Sequence, residues 1–194
     1  MGGLLTFSLL AWMAWRATNR PVVLAYAGRL RALLWAALAV LAAQVALGGW
    51  VSANYAALSC GAGSWSIVNF PQCAGLWWPP TDFGEGFVLW RGIGVDYEGG
   101  VLDGASRIAI QMAHRIGAVA AVAILLWAAV RMLRTPGLRG WGTALALLTA
   151  AQASLGILNV KLSLPLPVAV MHNAGAALLV FVLVSLLARL RGVD

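Results

Sequence analysis

Long apolar stretches, broken by short polar and basic segments, set the pattern of this chain. Four of them match the roughly 20 helical residues needed to cross a hydrocarbon core of about 30 Å. They are helix A (Ala32–Ala53), helix B (Ile108–Val130), helix C (Trp141–Val160) and helix D (Leu166–Ala188). Backbone polar groups in lipid must bond internally, so apolar runs of this length predict helices. A fifth run, Gly2–Trp15, is too short to cross fully and ends in the cluster Arg16-Ala-Thr-Asn-Arg20. The pattern predicts an all-α integral membrane protein. Residues 1–20 form a partial transmembrane helix with a basic loop, and residues 21–194 form a four-helix membrane domain.

Charge adds orientation. Arg16, Arg20, Arg29 and Arg31 precede helix A, Arg131, Arg134 and Arg139 join B to C, and Arg189 and Arg191 follow D. The loop 54–107 carries five of the six acids, Asp82, Glu85, Asp96, Glu98 and Asp103, and the C–D turn carries only Lys161. Positive segments stay inside, so the basic segment ahead of helix A, the B–C turn and the C-terminus are expected on the cytoplasmic side of a cell, or inner, membrane, with loop 54–107 and the C–D turn outside. The net charge of +7 therefore reflects topology and not a nucleic-acid-binding face. A cleavable signal peptide is not expected, because Arg16 and Arg20 follow the first apolar run where a small-residue cleavage site belongs.

The four spans contain a repeat. Helix A holds Gln44-Val-Ala-Leu-Gly48 and helix C holds Gln152-Ala-Ser-Leu-Gly156. Helix B holds His114-Arg-Ile-Gly117-Ala118 and helix D holds His172-Asn-Ala-Gly175-Ala176. A–B and C–D thus read as two copies of one hairpin, related by an axis along the membrane normal. Each histidine lies about six residues into its span, roughly 9–10 Å below the outer boundary. An ionisable residue inside a span marks function by default.

Two imidazoles at one depth suit the axial positions of a haem. Gly117, Ala118, Gly175 and Ala176 share the histidine faces of their helices, which predicts a flat slot beside each ring. Gly48 and Gly156 are placed at similar depth as further lining. The competing reading is helix packing, which small residues also serve. A zinc or copper centre lacks a thiolate and further ligands at this depth. Arg115 either meets a haem propionate or snorkels to the outer headgroups, and Gln111 either bonds the porphyrin edge or packs between helices.

Cys60 and Cys73 face an oxidising compartment in this topology, which points to a disulfide over the cleft; the alternative is two free thiols. Trp77-Trp78-Pro79-Pro80, Phe83, Phe87 and Trp90 form an aromatic patch that serves as an interfacial belt or a roof over the cofactor. Gly84-Glu85-Gly86 and Gly92-Ile-Gly94 are turn glycines without the strand-to-helix setting of a phosphate loop.

Taken together, Gln44 to Cys60, Asn69-Phe-Pro-Gln-Cys73, Tyr97-Glu-Gly-Gly100 and Ala113-His-Arg-Ile-Gly-Ala118 resemble haem A synthase, as do Gln152 to Val160, Leu164-Pro-Leu-Pro167 and Met171-His172. The resemblance implies two four-helix halves, each with a histidine pair. One half holds haem O and oxidises its methyl group to the formyl group of haem A. The other holds a haem b that supplies electrons. The catalytic half of the family carries a glutamate three residues before its first histidine, and here that position is Gln111. An amide cannot take a proton as a carboxylate does. The resemblance therefore implies the haem b half, with His114 and His172 as iron ligands. Its partners would be membrane lipid, haem, and a catalytic half upstream, on a separate chain or in a second copy. Haem O synthase and a terminal oxidase under assembly would be its neighbours. Two other readings stand beside it: a free-standing bis-histidine membrane cytochrome b, and a non-catalytic haem-binding subunit of a respiratory complex.

Overall fold

The computed structural model describes residues 2–24, 27–61, 71–90, 92 and 100–192. The elements follow in the order α1 (Gly2–Thr18), β1 (Val22–Leu24), α2 (Ala27–Ala53), α3 (Phe83–Gly86), α4 (Gly104–Leu133), α5 (Arg139–Lys161), α6 (Leu166–Arg189) and β2 (Leu190–Gly192). Helices α2, α4, α5 and α6 are each long and apolar enough to cross a membrane. They correspond to A, B, C and D, so the protein is an all-α, multi-pass membrane protein.

The helices run past the ends of their apolar stretches. Helix α4 begins at Gly104 and not at Ile108, because the Asp103 carboxylate caps it by accepting from the Ser106 amide at 2.8 Å. Hydropathy marks where a helix enters lipid, whereas a cap marks where its hydrogen bonding starts. Helix α2 likewise begins at Ala27, five residues ahead of Ala32, and takes Arg29 and Arg31 into its first turns. That Ser106 amide holds the Asp103 carboxyl below its usual value of 3.8. The cap therefore contributes stability that is complete above about pH 4 and is lost as pH falls through the lowered value. Thermal melts of the wild type and Asp103→Asn at pH 3 to 6 are expected to converge at the acid end and diverge above it.

Around the bundle α2 packs on α4, α4 on α5, α5 on α6, and α6 back on α2. The two hairpins α2–α4 and α5–α6 are thus set as a two-fold pair, with α4 diagonal to α6. Helix α1 lies outside this ring against α6. It has 17 residues, about 25 Å of helix, and contacts the bundle through Phe7–Phe181 and Trp15–Trp141 ring pairs.

Packing is uneven along the bundle. At the basic end, Leu34, Leu41, Leu125, Met132, Leu145, Leu183 and their neighbours form a closed core. Here α4 and α5 approach closely at Gly142, where a Cβ would lie 2.9 Å from both the Ala129 carbonyl and the Leu133 amide. Backbone cannot yield as a side chain does, so Gly142→Ala is expected to cost about 1–3 kcal/mol. A lowered unfolding temperature in detergent checks this. The same end carries a parallel strand pair that the apolar pattern did not announce: Val22 pairs with Leu190, Val23 with Arg191 and Leu24 with Gly192. Arg31 donates to the Leu190 carbonyl beside it, and the Arg189 guanidinium lies 5.0 Å from the Trp15 ring and 5.9 Å from the Trp141 ring.

Between this core and the smaller buried clusters at the other end, around Val51, Leu102 and Ile110 and around the cysteines and Met112, lies a level without buried residues. No residue between Leu41 and Val51 of α2, between Met112 and Ala121 of α4, or between Thr149 and Asn159 of α5 is buried. In α6 burial begins only at Leu179. One whole level of the bundle is open, and both histidines lie in it.

Candidate functional site

His114 stands on α4 and His172 on the diagonal helix α6, both half-buried. Helix α4 starts four residues earlier than its hydropathy suggests, so His114 is ten residues into its helix and His172 six. The extra turn of α4 reaches out toward the loop that precedes it.

The glycines divide into two kinds. Gly48 and Gly156 face the rings. A Cβ at Gly48 would lie 3.3 Å from His114 Cε1, and one at Gly156 would lie 3.1 Å from His172 Cε1. Gly117 and Gly175 do something else. The slot expected beside them is taken by glutamine: a Cβ at Gly117 would overlap Gln44 Oε1, and one at Gly175 would overlap Gln152 Oε1. On a tilted helix pair, the residue at i+3 turns toward the hairpin partner and not toward the open cleft. Motif spacing alone does not give that angle.

The two glutamines belong to the site although the repeat presented them only as landmarks. Gln44 Nε2 lies 3.0 Å from His114 Nδ1 and 3.5 Å from its Nε2, and it donates to the His114 carbonyl at 3.0 Å. Gln152 Nε2 lies 3.4 Å from His172 Nε2. The signal that locates them is a polar amide at one matched position in two apolar spans, which is costly unless it has a partner.

Arg115 does not point to open headgroups. Its Nη1 donates to the carbonyls of Pro71 at 3.3 Å and Gln72 at 3.2 Å, just ahead of Cys73. Cys60 and Cys73 form a disulfide that packs on Met112 and Ile108 of α4. The loop is tied down further by Ala74 N–H to the Cys60 carbonyl at 3.0 Å and Ser59 Oγ to the Arg107 carbonyl at 3.1 Å. A covalent clasp thus sits against the N-terminal part of α4, near the turn that precedes His114. Gln111 is buried one turn before His114, and its Oε1 has no hydrogen-bond partner among the described residues.

The aromatic patch splits. Phe83 stacks on Phe87 and Trp78, and Trp50 Nε1 donates to the Gly86 carbonyl at 2.9 Å, which fixes α3 over the bundle. Trp77, Trp78, Leu89 and Trp90 point outward and are 60–81% exposed. That exposure matches a membrane belt better than a roof. The Tyr97–Gly99 part of the loop motif, Asn69, Phe70 and the Ile93-Gly94 turn lie outside the described residues.

The donor set fits an axially ligated porphyrin. One imidazole stands on each of two helices at a level with few buried residues, glycines clear the space against each ring, and His172 Nδ1 is buried without a hydrogen-bond partner among the described residues. Among these residues, no group of three His, Cys, Asp or Glu side chains forms a site for a bare metal ion. Fold and site together define a multi-pass helical membrane protein with a paired-histidine cleft. The sequence profile of the family described as cytochrome oxidase assembly protein matches residues 1–184. Haem A synthase of Shewanella oneidensis is 39% identical over 188 residues, 96% of this chain and 55% of that protein. Haem A synthase of Rhodospirillum centenum is 30% identical over 168 residues, 85% of this chain and 40% of that protein. No solved structure matches the chain. The chain belongs to the haem A synthase family of cytochrome oxidase assembly proteins, and it spans about half the length of the curated relatives it matches.

Proposed function

We propose that this chain is the haem b-binding half of a haem A synthase, with His114 and His172 as the axial ligands. The observation that carries this reading is the open level of the bundle, entered by one imidazole from each of two diagonal helices. His114 and His172 would hold a haem b there, and when bound it would supply one-electron transfer. The chain's own residues hold and shield it. Gly48 and Gly156 leave room against the rings, and the Cys60–Cys73 clasp packs on Met112 and Ile108 of α4.

Gln111 supports the electron-relay role over the catalytic one. It stands where the family's catalytic half carries a glutamate, and an amide neither accepts nor releases a proton at the pH of the cell. The methyl oxidation of haem O is accordingly assigned to a second four-helix unit, joined to this one, carried on a partner chain, or supplied by another copy. The basic end of the bundle is placed in the cytoplasm and the clasped end outside, in keeping with the charge asymmetry of the loops.

Expression of this chain in membranes that contain haem O tests the assignment. Pigment extraction and chromatography are expected to yield haem b bound to the protein and no haem A. Haem A in that extract overturns the division of labour between the two halves.

A further inference from the structure

The repeated hairpin carries more than its histidine. In both copies a glutamine on the first helix reaches the histidine of the second, and a glycine three residues after that histidine receives the amide. The seat is tight. At Gly117 a Cβ would meet Gln44 Oε1, with Leu47 Cδ1 at 3.1 Å; at Gly175 a Cβ would meet Gln152 Oε1, with Gln152 Cδ at 3.4 Å. Both amide oxygens are buried and have no hydrogen-bond partner among the described residues, and the same holds for His172 Nδ1. Leaving a buried polar atom unpaired is costly, and here the cost recurs in both copies at the same place.

We propose that Gln44 and Gln152 are the positioning residues of the two imidazoles, each seated in the notch of Gly117 or Gly175 and each setting the angle and electron density of one ring. The proposal rests on haem ligation by His114 and His172. Its chemistry follows from the amide. One end of a glutamine offers both an acceptor and a donor, and a half-turn about its last bond exchanges them. A neutral imidazole that gives one nitrogen to iron carries its hydrogen on the other. That hydrogen requires an acceptor. Each amide now turns its nitrogen to the ring, at Nδ1 of His114 and Nε2 of His172, and its partnerless oxygen to the glycine notch; the half-turn brings that oxygen to the ring. Such an acceptor makes the ring a stronger donor to iron, which favours the ferric state.

Gln44→Met and Gln152→Met keep the length of the side chain and remove the acceptor. Each is expected to retain a six-coordinate haem while its midpoint potential rises and its affinity for haem falls by roughly 10-fold or more. Gln44→Glu, of the same shape but a stronger acceptor, is expected to shift the potential the opposite way. Gly117→Ala, which displaces the Gln44 amide without touching its chemistry, is expected to reproduce the Gln44→Met shift, and the double variant to add nothing further. A purely structural role for the glutamines would give no opposite shifts in Met and Glu variants. Unchanged potentials in Gln44→Glu and Gly117→Ala, with haem bound, overturn the proposal, and these two decide if the methionine variants do not accumulate. Wild-type protein without a bis-histidine haem spectrum overturns the ligand assignment itself, a separate outcome read before any glutamine is changed.

Discussion

Replacing either His114 or His172 with alanine is expected to abolish the low-spin bis-histidine spectrum of the purified protein. Loss of an outer hydrogen-bond partner of a ligand costs roughly 10- to 100-fold in metal affinity, and loss of the ligand itself exceeds that. The fold is expected to survive. Both histidines lie in the open level of the bundle and outside the closed core built on Leu34, Leu125, Leu145 and Leu183. Absorption spectra and pyridine haemochrome content, read beside helical content by circular dichroism, check the two halves of this statement. A variant pair that both keep the wild-type spectrum would falsify the ligand assignment.

Filling the cleft is expected to be nearly as damaging as removing a ligand. A Cβ at Gly48 or Gly156 already sits within 3.3 Å of an imidazole carbon, so leucine at either position projects its branched end into the space beside the ring. Gly48→Leu and Gly156→Leu are expected to lose most of their haem while the helices remain, because this level has no packed core to disrupt. Gly49→Leu is the matched control: nothing lies within 4 Å of its Cβ, and haem content is expected to stay at the wild-type level. Equal haem in all three variants would show that the open level is not where haem binds.

Much of the architecture was legible in the chain. Apolar runs of some 20 residues in lipid have one outcome, since only a helix satisfies its own backbone. The cysteine pair was legible for a similar reason: two cysteines in one loop, on the side expected to be oxidising, do form the disulfide. Helix ends were less legible. Capping by Asp103 and the first turns of α2 lie in polar sequence that hydropathy does not mark.

The site itself was only half legible. Sequence by itself determined the spans, the repeat, and the presence of two matched histidines with small residues near them, because these depend on local pattern. Which glycine faces which side chain depends on the rotation and crossing of neighbouring helices, and no spacing within one helix contains that. Tertiary structure alone therefore moved Gly117 and Gly175 from the cleft wall to the seats of Gln44 and Gln152. It turned Arg115 toward the carbonyls of Pro71 and Gln72. It also showed that buried residues crowd the basic end and are missing from the stretches of α2, α4, α5 and α6 around the histidines, a contrast set by how the helices cross.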